Sequence, residues 1–232
     1  MADPLILVVP GLDNSGPGHW QSLWEERRDD CRRVDLGMWD RPHRNTWVNK
    51  LNLAIRSAGR PVVLVAHSLG CHAAVWWAQL AREETSSVIG ALLVAPPELD
   101  ENPRDARLRA FAPTPFSRLP FPSILAASHD DPYMSLRAAR RLARAWGSGF
   151  ADAGKVGHIN ADSDLGDWAF GQFLLTRLLA GAQPPRNAAA AIDLHAPASG
   201  NGAAAAGEAS RFAHGREASF ASPAMLRSGR PQ

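Results

Sequence analysis

Cysteine is nearly absent from this sequence, with only Cys31 and Cys71 in 232 residues. Two cysteines cannot build the disulfide framework of a small secreted domain. Cys31 opens an expected strand and Cys71 lies in an expected helix, so both read as small buried hydrophobes. Long apolar runs are missing as well. No window holds eighteen apolar residues in a row, so no membrane-spanning helix is expected. Met1-Ala-Asp-Pro4 leads straight into a strand, with neither a basic leader nor an apolar signal core, and a cytoplasmic location is expected. Nor does one sign of charge dominate: 25 Lys and Arg stand against 23 Asp and Glu. The segment from Gly181 holds five Arg and three acids, which leaves the remainder balanced at twenty each. No basic stripe interleaved with aromatics occurs, which argues against a nucleic-acid partner.

What is present suits one substantial core with room for a tail: 45% hydrophobic residues and eight Trp. Strand and helix signals alternate. Apolar strands are expected at 5–9, 32–36, 62–66, 89–95 and 124–127, with a short one near 149–152. Helices are expected at 19–28, 46–57, 71–81, 136–146 and 168–180, from apolar residues at i, i+3, i+4 spacing and from their caps. Asn45 is the expected N-cap of the second helix, and Gly147 the stop of the fourth. Such alternation gives an α/β protein, a mostly parallel sheet of about six strands with helices on both faces. Residues 96–122 carry seven prolines and no clear period, so an irregular loop over the reactive end is expected. From Gly181 the chain turns to Ala, Gly, Ser, Pro and Arg, with Ala runs at 188–191 and 203–206. Its few apolar residues cannot offset ordering costs of ~1–2 kcal/mol per residue, so 181–232 reads as a disordered tail after a domain at 1–180. No partner is assigned to the tail.

The most informative stretch is Pro61-Val-Val-Leu-Val-Ala-His-Ser-Leu-Gly70, running into Cys71-His-Ala-Ala-Val-Trp-Trp77. A buried strand ends at a tight turn, and a helix starts one residue later. Ser68 on that turn has its Oγ lifted above the sheet edge beside a helix N-terminus, the presentation of a nucleophile for acyl transfer. The usual G-x-S-x-G carries Ala66 here in place of its first glycine, a small enough residue for close strand–helix approach.

A serine nucleophile needs a base in hydrogen-bond reach and an acid to orient the base. On such a sheet the chain order is Ser, then acid, then His. Ser128-His-Asp-Asp-Pro-Tyr133 follows the strand at 124–127, and Gly157-His-Ile-Asn160 follows the last strand. Asp131 and His158 are the expected acid and base, with Asp130 and His129 as their rivals. His67 adjoins Ser68, but a neighbour on a strand is expected to point the other way. A zinc site from His67, Cys71 and His72 is rejected, since no closing ligand pair follows them. The oxyanion needs two backbone N–H groups. Leu69, after the nucleophile, supplies one, and Leu12, in the glycine turn after the first strand, the other. His19, Trp20 and Trp39 fall near loops at the carboxyl end of the sheet and are candidate pocket residues, although both tryptophans could equally be core.

Several spaced stretches also carry a family resemblance. They are Val9-Pro-Gly-Leu12 with Ser15-Gly-Pro-Gly-His-Trp-Gln21, Met38-Trp-Asp-Arg-Pro42 with Trp47, Ala66-His-Ser-Leu-Gly70, Leu93-Val-Ala-Pro-Pro97, Asp130-Asp-Pro-Tyr133 and Gly157-His-Ile-Asn160. Over its first 180 residues the chain resembles the small α/β-hydrolases that include the retinoblastoma-binding serine hydrolase and its bacterial relatives. The resemblance implies an α/β-hydrolase-like three-layer sandwich, a Ser-Asp-His triad on Ser68, Asp131 and His158, and no cofactor. The pocket-protein motif L-x-C-x-E is missing, because Leu69-Gly-Cys71 is followed by His72-Ala73, so a retinoblastoma-type partner is not expected. The expected activity is hydrolysis of a small carboxylic ester, thioester or amide. An acyltransferase on the same triad, or a binding protein that keeps the fold, is the alternative.

Overall fold

The computed structural model describes residues 3–81 and 84–182. The tail expected from Gly181 lies, beyond its first two residues, outside the described residues. Among the described residues eleven helices and strands follow one another: β1 (Leu5–Val9), α1 (Trp20–Arg27), β2 (Cys31–Arg33), α2 (Arg44–Ser57), β3 (Val62–His67), α3 (Leu69–Leu80), β4 (Val88–Val94), β5 (Ser123–Ala127), α4 (Leu136–Trp146), β6 (Gly149–Asp152) and α5 (Ala169–Ala182). All six strands pair in parallel in the order β2-β1-β3-β4-β5-β6.

The strands are apolar on both sides because both sides are covered. Leu5, Leu7, Val9, Leu64 and Ala66 face a core with Trp47 and Leu51 of α2, Trp77 of α3 and Trp146 of α4. Ile6, Val8, Val63 and Val65 face a second core with Trp20 and Trp24 of α1 and Leu174, Leu175 and Leu178 of α5. Successive side chains of a strand point to opposite faces, so continuous apolar runs are what a three-layer sandwich demands. The chain leaves β1 for one sheet edge and returns at β3 to build toward the other. Ligands of open α/β sheets bind at the carboxyl ends of strands at such a reversal. The turns after β1 and β3 meet there.

Several boundaries differ from expectation: β2 stops at Arg33 where a strand at 32–36 is expected, α3 starts at Leu69 and not at residue 71, and α5 runs on to Ala182. Helix α2 starts before Asn45, with His43 at the cap and no side-chain cap bond. Arg44 extends the helix because its guanidinium lies 4.3 Å over the Trp76 ring and donates to the Ala112 carbonyl. The proline-rich stretch holds a 3-10 turn at Ala106–Phe111 that buries Leu108 and Phe111. Trp76 and Trp146 indoles donate to the Phe111 and Pro115 carbonyls at 2.8 and 2.7 Å, which moors it to the domain.

Gly70 sets how closely α3 crosses β1. A Cβ on it would lie 2.2 Å from the Val9 carbonyl oxygen and 2.5 Å from that of Pro10. Gly70→Ala must push helix and strand apart, at an expected cost of about 1–3 kcal/mol. Chemical denaturation should show it as a lower midpoint with an unchanged slope. An unaltered midpoint would mean that the crossing can widen freely.

Candidate active site

Ser68 closes β3 with φ 52° and ψ −126°, a backbone region that non-glycine residues rarely enter. Its own N–H donates to the Val94 carbonyl at 2.9 Å, which holds the turn against β4. A Cβ on Gly11 would meet the Ser68 Cβ at 2.7 Å and the Leu69 nitrogen at 3.1 Å, so glycine is required where the β1 turn abuts the β3 turn. Ala66 is fully buried and its methyl joins the core beneath α3, so the turn accommodates it in place of the usual glycine. Among the described residues, neither the Leu12 nor the Leu69 N–H donates to any protein group.

Three side chains converge on this turn. His158 Nε2 lies 2.9 Å from Ser68 Oγ, and its Nδ1 lies 3.0 Å from each carboxylate oxygen of Asp131. The Asp131 side chain is 3% exposed and also accepts the Tyr133 N–H at 2.8 Å. Asp130 and His129 are placed elsewhere. Asp130 accepts from the Ser128 hydroxyl and the Gly157 N–H, donors that hold its carboxyl below the ordinary value. It thereby ties the β5 turn to the loop of His158. His129 pairs with Asp152 at 2.7 Å.

Main-chain anchors fix the His158 loop. The His67 ring nitrogen Nε2 lies 3.0 Å from the His158 carbonyl, and the Trp20 indole donates to the Ile159 carbonyl at 2.8 Å. The Tyr133 ring packs against the His158 ring at 4.3 Å between centroids.

A family model described as serine hydrolase matches residues 6–177, most of the chain. The chain belongs to the serine hydrolase family. A crystal structure of a putative YdeN-like hydrolase from Pectobacterium atrosepticum is 33% identical, with a TM-score of 0.70 over 78% of this chain and 94% of that one. The ydeN product of B. subtilis is 16% identical, with a TM-score of 0.60 over 77% and 100%. A thermophilic esterase from Thermogutta terrifontis is 14% identical, with a TM-score of 0.58 over 78% and 91%, a likeness of fold. No curated protein matches the sequence. Among the described residues no helix is long and apolar enough to cross a membrane.

In this serine hydrolase the cleft beside Ser68 has a volume of about 250 Å³. Its walls are polar: Asp13, Asn14, His19, Asn160 and Asp162 outnumber Leu12, Leu108 and Tyr133. A second groove of about 420 Å³ lies on the other flank of Tyr133 and His158, beside Arg104 and Ser163. Trp20 is not a pocket residue. It is 1% exposed and packs in the core against Trp24 and Trp168. Trp39 sits half-buried against Trp47, outside both hollows. His19 does line the cleft, and so does His67. The expectation that His67 points away from the site fails because the reactive end spans both sheet faces: the His158 loop folds back over the α1 face and meets His67 there. Cys71 and His72 turn to backbone carbonyls, Cys71 to Ala66 and Val94 and His72 to Pro97.

Sequence reasoning gave no role to two further residues of the hydrolase. Gln21 is fully buried, donates to the Val65 carbonyl at 2.9 Å and accepts from the Ser15 hydroxyl, which secures the β1–α1 loop to β3. A signal was present, a glutamine flanked by the buried tryptophans Trp20 and Trp24 of α1. Arg107, from the proline-rich stretch, makes paired hydrogen bonds to Asp13 and also binds Asp105, closing one side of the cleft. Such a long-range pair leaves no mark in local sequence.

Proposed function

We propose that this hydrolase cleaves a small carboxylic ester, thioester or amide through an acyl-enzyme on Ser68. The reading rests above all on His158, whose two ring nitrogens span Ser68 Oγ and the Asp131 carboxylate at 2.9 and 3.0 Å. A carboxylate on Nδ1 holds that nitrogen's proton and leaves Nε2 with a lone pair. His158 then takes the Ser68 proton as Oγ attacks the carbonyl carbon. The oxygen of the tetrahedral adduct gathers negative charge beside the unspent N–H groups of Leu12 and Leu69. His158 passes its proton to the leaving oxygen, sulfur or nitrogen, and the acyl group stays on Ser68. Water then enters, loses a proton to His158, attacks the acyl carbon and releases the acid as Ser68 recovers its proton. Protons pass only among Ser68, His158, the leaving group and the attacking water, so the steps balance without a cofactor or metal.

A fluorophosphonate probe tests this reading without a known substrate, because it phosphonylates only an activated serine. Intact-mass analysis should show a single adduct on the wild-type protein and none on Ser68→Ala. Equal labelling of the variant, or no labelling of the wild type, would refute it.

A further inference from the structure

Resting on that reading of Ser68, we infer that His19 is a specificity-determining residue. Its Nε2–H is a hydrogen-bond donor kept for an acceptor atom in the acyl half of the substrate. The class of substrate that fits is a short, polar acyl group with an oxygen acceptor, and not a long alkyl chain.

The ring's tautomer follows from its contacts. His19 caps α1, and its Nδ1 accepts the Gln21 N–H at 3.1 Å. A nitrogen that accepts carries no proton, so in the neutral ring the proton is on Nε2. Burial, with Arg33 and His158 nearby, lowers the pKa of His19 to about 4, so the ring is neutral in any ordinary buffer. Nε2 cannot then accept the Ser68 proton, which removes His19 as a rival base. It can only donate. Yet His19 is 3% exposed and its buried Nε2 has no partner in the protein.

Buried donors are nearly always satisfied, and an unsatisfied one is a standing cost to the fold. Gln21 and Ser15, the buried polar neighbours of His19, are fully engaged with each other and with carbonyls. The ring cannot turn to find another partner without giving up its cap bond. It is wedged between Trp20 and His67, with ring centroids 5.3 and 4.7 Å away. His19 shares the cleft wall with Ser68 and His158, and because Nε2 itself is closed to solvent, the wall must give way slightly for a substrate held on Ser68 to meet it. Among the described residues the other buried orphan, His72 Nδ1, lines no wall of this cleft and faces Trp146. The polar side chains around the cleft, Asn14, Asp13 and Asn160, act in the same sense, since an alkyl chain would strip their water and return nothing.

The test uses pairs of p-nitrophenyl esters that differ by one methylene-to-oxygen exchange: butyrate against methoxyacetate, and valerate against 3-methoxypropionate. The quantity read is the oxa-to-alkyl ratio of kcat/KM, compared between proteins so that intrinsic ester reactivity cancels. His19→Asn keeps a good N-cap while removing the ring donor. It should lower the ratio about tenfold in at least one pair, the size of one hydrogen bond to substrate. His19→Gln, whose amide N–H reaches about as far as Nε2, should restore part of it. Equal losses on both members of each pair would mean a structural role and overturn the inference, as would unchanged ratios. If the wild type is labelled by fluorophosphonate but turns over neither oxa ester, the inference fails while the Ser68 reading stands. Without labelling, the Ser68 reading itself fails.

Discussion

Ser68→Ala is expected to lower kcat by about 10⁴–10⁶-fold, with substrate binding largely kept. In the proposed reaction the hydroxyl supplies the bond to the acyl carbon, and alanine offers nothing to replace it. The other members lose their purpose with it. His158→Ala added to Ser68→Ala should therefore cost little more, since residues that act as one unit do not lose activity additively. Initial rates with a p-nitrophenyl ester that the wild type accepts would show this. A Ser68→Ala variant within about tenfold of wild type would take Ser68 out of the reaction. A fully additive double variant would give His158 a separate task.

The second large effect concerns the acid. Asp131→Asn preserves shape, but its amide can present an N–H to His158 Nδ1 and so favour the imidazole with its proton on Nε2. That tautomer cannot receive the Ser68 proton, and a loss of about 10⁴-fold is expected. Asp130→Asn should lose far less, because its carbonyl oxygen can still accept from Ser128 and Gly157. The base must be unprotonated, so activity should fall on acidification along a limb set by one ionisation. His19, held at about 4, and His67, held well below its ordinary 6.5, are already neutral on that limb and add no step. His129→Ala should keep the limb and most of the activity, whereas His158→Ala should abolish both. An inactive His129→Ala variant, or equal damage from Asp130→Asn and Asp131→Asn, would overturn these assignments.

Local chemistry made much of this fold legible. The runs at β1 and β6 and the capped helix α4 end where apolar pattern and caps place their limits. The chain order of Ser68, Asp131 and His158 was legible too, since parallel strands bring their carboxyl ends to one edge. Arg44 was not, because the Trp76 ring that draws it into α2 is far along the chain. Trp20 shows the same limit. An indole near a loop can line a pocket or seal a core, and the Ile159 carbonyl decides for the core. His67 was misjudged because strand alternation says which sheet face a side chain takes and nothing about which loops fold back over that face. The tilt of the cleft toward polar walls is likewise a property of several loops at once, and no one of them announces it.

The anchoring of the His158 loop has a consequence for how the chain is made. Trp20 and His67, the two side chains that grip its carbonyls, are synthesised well before the loop itself. The Ser68 turn and its docking points therefore leave the ribosome first, and His158, the proposed base, follows 90 residues after Ser68. A nascent chain carrying Ser68 has no partner to activate it until residues 157–160 emerge and settle against indole and imidazole already in place. In the proposed mechanism, therefore, Ser68 is not activated until the His158 loop has emerged and docked, and a shorter nascent chain is inert toward acyl substrates.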